Sequence, residues 1–209
     1  MSGLALTLLF GLLLGMKHAT EPDHIVAVST IASRTNKLSL SSLAGVFWGI
    51  GHTLTLLVVG MIVISLKQHI PEIVVTWMEM AVGMMIIVLA VASFRATWRM
   101  NEHQPLRIQH LHMKSMLIGV VHGMAGSAGM VLLALTTVET SWQAFALIVA
   151  FGLGTVIGMM IFTTLLGLPF LFARPKQTLY RALVQVVSIF SLVYGVYYMY
   201  EIGREGGMF

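Results

Sequence analysis

The sequence contains no cysteine, which excludes disulfides, thiolate metal sites and thiol redox chemistry without identifying a compartment. Any metal bound here takes nitrogen and oxygen ligands, with methionine sulfur as the remaining option. Charge is scarce too: 10% of residues are Asp, Glu, Lys or Arg, against roughly 25% in an ordinary soluble domain, and 57% are hydrophobic. A chain of this composition is solvated by lipid, and the expected fold class is an all-α membrane protein. There is no Gly-x4-Gly-Lys-Ser/Thr loop, so ATP-driven pumping by this chain alone is not expected. No basic stretch or small-residue cleavage pattern precedes the first polar cluster, so the first apolar stretch is expected to belong to the fold rather than to a signal peptide. The net charge of +4 would suit nucleic acid, but in membrane proteins Lys and Arg gather in cytoplasmic loops. The basic balance is therefore read as orientation, with lipid and not nucleic acid as the surrounding partner.

Nearly charge-free runs lie at about 43–66, 73–94, 115–138, 144–168 and 179–200, each long enough for a hydrocarbon layer of about 30 Å. A sixth apolar stretch, 3–33, is interrupted by Lys17-His18-Ala19-Thr20-Glu21-Pro22-Asp23-His24. As a straight helix it would reach about 45 Å, more than a bilayer needs, so a span broken at Pro22 is expected. The sum is six transmembrane helices in a single domain, 1–209. With six spans, Arg34, Lys37, Arg95, Arg99, Arg107, Lys114, Arg174, Lys176 and Arg181 share one side, and Lys67 and Arg204 the other. The positive-inside rule makes the first side cytoplasmic and places both termini outside. Gly15 and His18 align with Gly119 and His122, and Gly49-Ile50-Gly51 with Gly152-Leu153-Gly154. This suggests a 3+3 repeat with halves 1–95 and 115–200, inverted because each half has an odd number of spans.

The strongest chemical signal is His18-x4-Asp23-His24 inside an apolar stretch, since intramembrane ionisable groups are expensive unless paired, hydrated or ion-bound. On an unbroken helix Asp23 and His24 would point about 140° and 240° away from His18. Pro22 changes this, because its ring clashes with the carbonyl four residues back, that of His18. A break there can aim the three side chains at one point. The bland alternative is a capping box over Thr20-Glu21-Pro22-Asp23, which leaves both histidines unexplained.

His52 and His122 follow small residues at i−7 and i−3, as His18 does: Gly45 and Gly49, Ser115 and Gly119, Gly11 and Gly15. Such faces are where membrane helices approach closely, so each histidine is expected inside the bundle. Imidazole with carboxylate suits Ni(II) or Co(II), whereas Mg or Ca prefers oxygen. His18, Asp23, His24, His52 and His122 are the candidate metal residues. Glu21 is a weaker one, able instead to pair with Lys17. Glu79 is another, either a ligand on the way in or an interfacial side chain. Thr53 could orient a ligand or bond its own backbone. Met84, Met85, Met124, Met130, Met159 and Met160 read as gap-filling core. His103, His110 and His112 fall in a loop expected over 95–114, and His69 at the interface.

Gly15-Met16-Lys17-His18-Ala19-Thr20-Glu21-Pro22-Asp23-His24-Ile25 resembles the His-x4-Asp-His signature of the nickel/cobalt transporter family, and Gly51-His52-Thr53 resembles its Gly-His-Ser/Thr element in the next helix. The chain is shorter than the eight-span members and lacks their later acidic motif. It is more similar to the short urease-accessory membrane proteins of that superfamily, with His122-Gly123-Met124-Ala125-Gly126 the candidate replacement. The resemblance implies a multi-pass permease of a prokaryotic cytoplasmic membrane that imports Ni2+ or Co2+ as substrate, with no resident cofactor. The ion would serve enzymes such as urease or hydrogenase, with hand-off to cytoplasmic metallochaperones, and His18, Asp23, His24 and His52 are the matching positions. Two rivals stand beside it. In a proton-coupled carrier of another solute the same residues would relay protons. A membrane di-iron enzyme is suggested by Glu21-Pro22-Asp23-His24 read as Glu-x-x-His, but one copy does not make the pair such a site needs.

Overall fold

In lipid a backbone must satisfy its own hydrogen bonds, and for long apolar runs a helix does so within one segment. The computed structural model describes residues 3–35, 37–66, 70–98, 108–138 and 140–208, excepting the side chains at 108–110, 127, 128 and 130–136. Among these residues the regular elements are seven helices: α1 (Gly3–His18), α2 (Pro22–Ala32), α3 (Leu38–Leu66), α4 (Glu72–Trp98), α5 (Ile108–Thr137), α6 (Ser141–Ala173) and α7 (Gln177–Glu205). Four of them, α3, α4, α6 and α7, are long and apolar enough to cross a membrane, and α1 with α2 qualifies as a pair bent by 59°. Large apolar side chains such as Phe10 and Leu13 on α1, Val58 and Ile62 on α3, and Phe190 and Val193 on α7 face outward. That is the surface a protein presents to lipid rather than to water.

The break falls where Pro22 predicts it. The last turn of α1 tightens, with Thr20 N–H donating to the Lys17 carbonyl at 2.8 Å and Glu21 N–H to the His18 carbonyl at 3.0 Å. Glu21 is extended at φ −65°, ψ 147°, as a residue before proline is driven to be, and Pro22 opens α2. No capping box forms: the Thr20 hydroxyl donates to the Lys17 carbonyl at 2.6 Å, and Glu21 caps nothing with its side chain.

α3 lies between α5 and α6, α1 lies on α6, α4 on α7, and the short α2 is held among α4, α6 and α7. The small-residue faces behave as read. A Cβ on Gly15 would strike the Phe151 carbonyl of α6, one on Gly49 would strike Val156 of α6, and one on Gly119 would strike the Trp48 carbonyl of α3. The three histidines that follow these glycines are thus delivered to the seams between helices. Beyond α2, the Tyr180 hydroxyl donates to the Ser33 carbonyl at 2.5 Å and Arg34 Nη2 to the Ala92 carbonyl at 3.0 Å, tying this end of α2 to α7 and α4.

One expectation needs correction. The 95–114 stretch is not a loop throughout, because α5 begins at Ile108 and carries His112 on its first turns, with the ring 4.6 Å from that of Phe47. Hydropathy marks how far the hydrocarbon extends, not where a helix stops, and polar residues continue α5 beyond the apolar run. His69, His103 and the His110 side chain lie outside the described residues.

Candidate metal centre

The five principal candidates converge. His18 ends α1, Asp23 and His24 open α2 across the break, His52 lies midway along α3, and His122 lies midway along α5. His24, His52 and His122 are among the largest fully buried side chains of the molecule, an unusual content for an apolar core. The His18 ring centroid is 4.5 Å from that of His24 and 5.2 Å from that of His52, while His24 and His122 are 3.9 Å apart.

Two overlapping groups share His24. Donor atoms of His18, His24 and His52 lie within 4.8 Å of one another, and so do those of Asp23, His24 and His122. The groups differ in what already occupies their atoms. In the second, Asp23 Oδ2 is 2.8 Å from His122 Nε2 and Oδ1 is 3.2 Å from His24 Nδ1, so both carboxylate oxygens are engaged. In the first, His18 Nε2, His24 Nε2 and both nitrogens of His52 are buried without a hydrogen-bond partner, and in the second His122 Nδ1 is bare as well. Unpartnered polar atoms in a core cost roughly 1–3 kcal/mol each, a cost that a shared ligand would relieve. Neutral imidazole nitrogens are the donors that Ni(II), Co(II) and similar ions prefer.

The secondary candidates separate. Glu21 is half exposed and binds not Lys17 but His18, its Oε2 lying 2.9 Å from His18 Nδ1. Glu79 is half-buried on α4 and belongs to neither group. Thr53 follows neither expected course: its hydroxyl donates to the Gly152 carbonyl of α6 at 3.2 Å. Met159 is buried in the core as expected, whereas Met84 is exposed.

One contributor, Trp48, escaped the sequence reading, and Gly126 entered it only as the end of the His122 motif. Trp48 is buried with its ring 5.6 Å from His122 and 6.4 Å from His24, forming an apolar wall to the cluster. Its place four residues before His52, on the same helical face, was the available signal. Gly126 of α5 faces the other side, where a Cβ would lie 3.5 Å from both His18 Nε2 and His52 Cε1. The absent side chain leaves room beside the bare nitrogens.

Against known proteins, no family model matches the sequence and no solved structure does. The chain is 24% identical to the Arabidopsis thaliana chloroplast proteins FOR GROWTH AND FERTILITY 2 and FOR GROWTH AND FERTILITY 1, over 75% of its own length in each case. It spans 46% and 48% of those two chains. Similarity to the urease accessory protein UreH of Bacillus sp. (strain TB-90) is far stronger, at 43% identity over 97% of this chain and 94% of that one. An identity of that size, sustained from end to end, means that this chain belongs to the family of the urease accessory protein UreH.

Proposed function

We propose that this protein is a secondary permease for a divalent transition metal, Ni2+ or Co2+, importing it across a prokaryotic cytoplasmic membrane through the histidine and aspartate cluster. The observation that carries the reading is the set of bare, buried imidazole nitrogens from His18, His24 and His52 within 4.8 Å of one another. A protein whose relative is named a urease accessory protein fits a role in supplying the metal of such an enzyme, with hand-off to cytoplasmic metallochaperones. The ion is substrate, not resident cofactor, and the chain itself is not an enzyme.

In this reading α1 and α2 form one broken crossing and α5, 30 residues and about 45 Å long, is the sixth span beside α3, α4, α6 and α7. Both termini then lie outside, by the distribution of Lys and Arg. His52 and His122, each near the middle of its helix, put the site near the bilayer midplane, where carriers built from opposed halves bind cargo. Transport proceeds by alternating access around that site, with the halves 1–95 and 115–200 in opposite orientation. Two charges moving inward through 100 mV release about 4.6 kcal/mol, enough for a gradient on the order of a thousandfold.

The rival proton relay is less favoured: His24, Asp23 and His122 are hydrogen-bonded in series, but the bare nitrogens of His18, His24 and His52 offer no hydrogen-bonded neighbour to carry a proton further. A di-iron centre is disfavoured because, among the described residues, Asp23 is the one carboxylate in either group. Uptake by cells expressing the chain, compared for nickel, cobalt, zinc and manganese, tests the proposal. Uptake of nickel or cobalt that His18→Ala, Asp23→Ala and His24→Ala each abolish is the expected result, and unchanged uptake in all three variants refutes it.

A further inference from the structure

Within that reading, on which this step rests, the five clustered side chains do two different jobs. We infer that His18, His24 and His52 are the ligands of the ion and that Asp23 is a positioning residue, clamped between His24 and His122 and acting through the His24 ring. The geometry divides them, although His122 Nδ1 is also buried and bare: the donors of His122 group with those of Asp23 and His24 and not with those of His18 and His52. An ionised carboxylate only accepts hydrogen bonds, and Asp23 accepts one at each oxygen, from His24 Nδ1 at 3.2 Å and from His122 Nε2 at 2.8 Å. His24 therefore carries its proton on Nδ1, which leaves the lone pair on Nε2, the nitrogen that is buried and bare. His18 repeats the arrangement on the other side of the break. Its Nδ1 donates to Glu21 Oε2 at 2.9 Å, and its buried Nε2 has no partner.

Two carboxylate–imidazole pairs thus flank Pro22, each fixing one ring in the tautomer that offers Nε2. Metal-binding histidines characteristically donate their other N–H to a carboxylate, which sets ring orientation and raises basicity. His52 completes the set from α3 with both nitrogens unpartnered, and the space next to His18 and His52 is kept open by Gly126. Imidazole–metal bonds run about 2.0–2.1 Å, so donors within 4.8 Å come into bonding range by small ring rotations. Each Asp23 oxygen keeps a second lone pair, but an ion bound there would share the carboxylate with the two imidazoles that now hold it.

The test is coordination itself, measured on the full chain in detergent loaded with Co2+ alone. X-ray absorption on the wild type should count three imidazoles. His18→Ala, His24→Ala and His52→Ala should each remove one. Asp23→Asn should leave that count and the visible ligand-field spectrum of Co2+ as in the wild type, while weakening Kd by about 10- to 100-fold, the usual cost of losing an orienting partner. An Asp23→Asn spectrum altered as if a ligand were lost overturns the inference and leaves the transport reading standing. A fourth imidazole in the wild type that His122→Gln removes does the same. Should Asp23→Asn fail to fold, the wild-type shell decides alone, because a carboxylate within it contradicts the assignment. A wild type that binds no Co2+ or Ni2+ refutes both this step and the permease.

Discussion

The break between α1 and α2 and the unbroken α5 start from the same local pattern, small residues at i−7 and i−3 before a histidine, and end in different chemistry. Between α1 and α2, Pro22 turns the chain by 59°, and the eight residues from Lys17 to His24 supply His18, Asp23 and His24 to one cluster. α5 continues unbroken past its histidine and supplies His122 alone, which reaches Asp23. Glycine faces deliver a side chain to a seam, whereas a break lets neighbouring residues converge. A helix turns about 100° per residue, and only interrupting that rotation brings His18 and His24 face to face.

The largest effect is expected from a proline placed in α5 where α1–α2 has one. Gly126→Pro would set its ring against the carbonyl of His122, four residues back, as Pro22 stands to His18. With no break built around it, the substitution should cost about 3 kcal/mol or more of stability, read as a fall in unfolding temperature in detergent. Next in size is Gly15→Val, which drives a side chain into the Phe151 carbonyl of α6 and should destabilise the protein by about 1–3 kcal/mol in the same assay. Pro22→Ala should do less, because the turn is also held by the Thr20 and Glu21 hydrogen bonds. A loss of about 0.4–1 kcal/mol and a metal affinity weakened roughly threefold are expected, followed by metal titration. Smallest of all, Glu21→Gln removes a half-exposed partner of His18 and should weaken binding by about twofold. Nickel binding to the wild type should also weaken as pH falls, since protons compete for the imidazole nitrogens that donate to the ion.

Much of this was legible in the residues. Charge scarcity and run lengths give the membrane class, and Pro22 four residues after His18 gives the break. Small residues at fixed offsets give the burial of His52 and His122. What was not legible depends on distant partners. Asp23 meets His122 across 99 residues of chain, so its engagement could not be read from the motif that contains it. Thr53 bonds Gly152 rather than a ligand because α6 packs against α3 at that level, a tertiary fact without a local signature. His112 lies on a helix because polar residues extend α5 past the apolar run, which hydropathy does not see.

Calorimetric titration of the purified full-length protein with Ni2+, in parallel with His24→Ala, addresses the cluster most directly, because His24 is the side chain both donor groups share. Saturable binding of one ion per chain is expected in the wild type, weakened by more than about 100-fold in the variant, beyond what the loss of an orienting partner costs. Equal affinity in the two proteins, or no saturable binding by the wild type, would contradict this expectation.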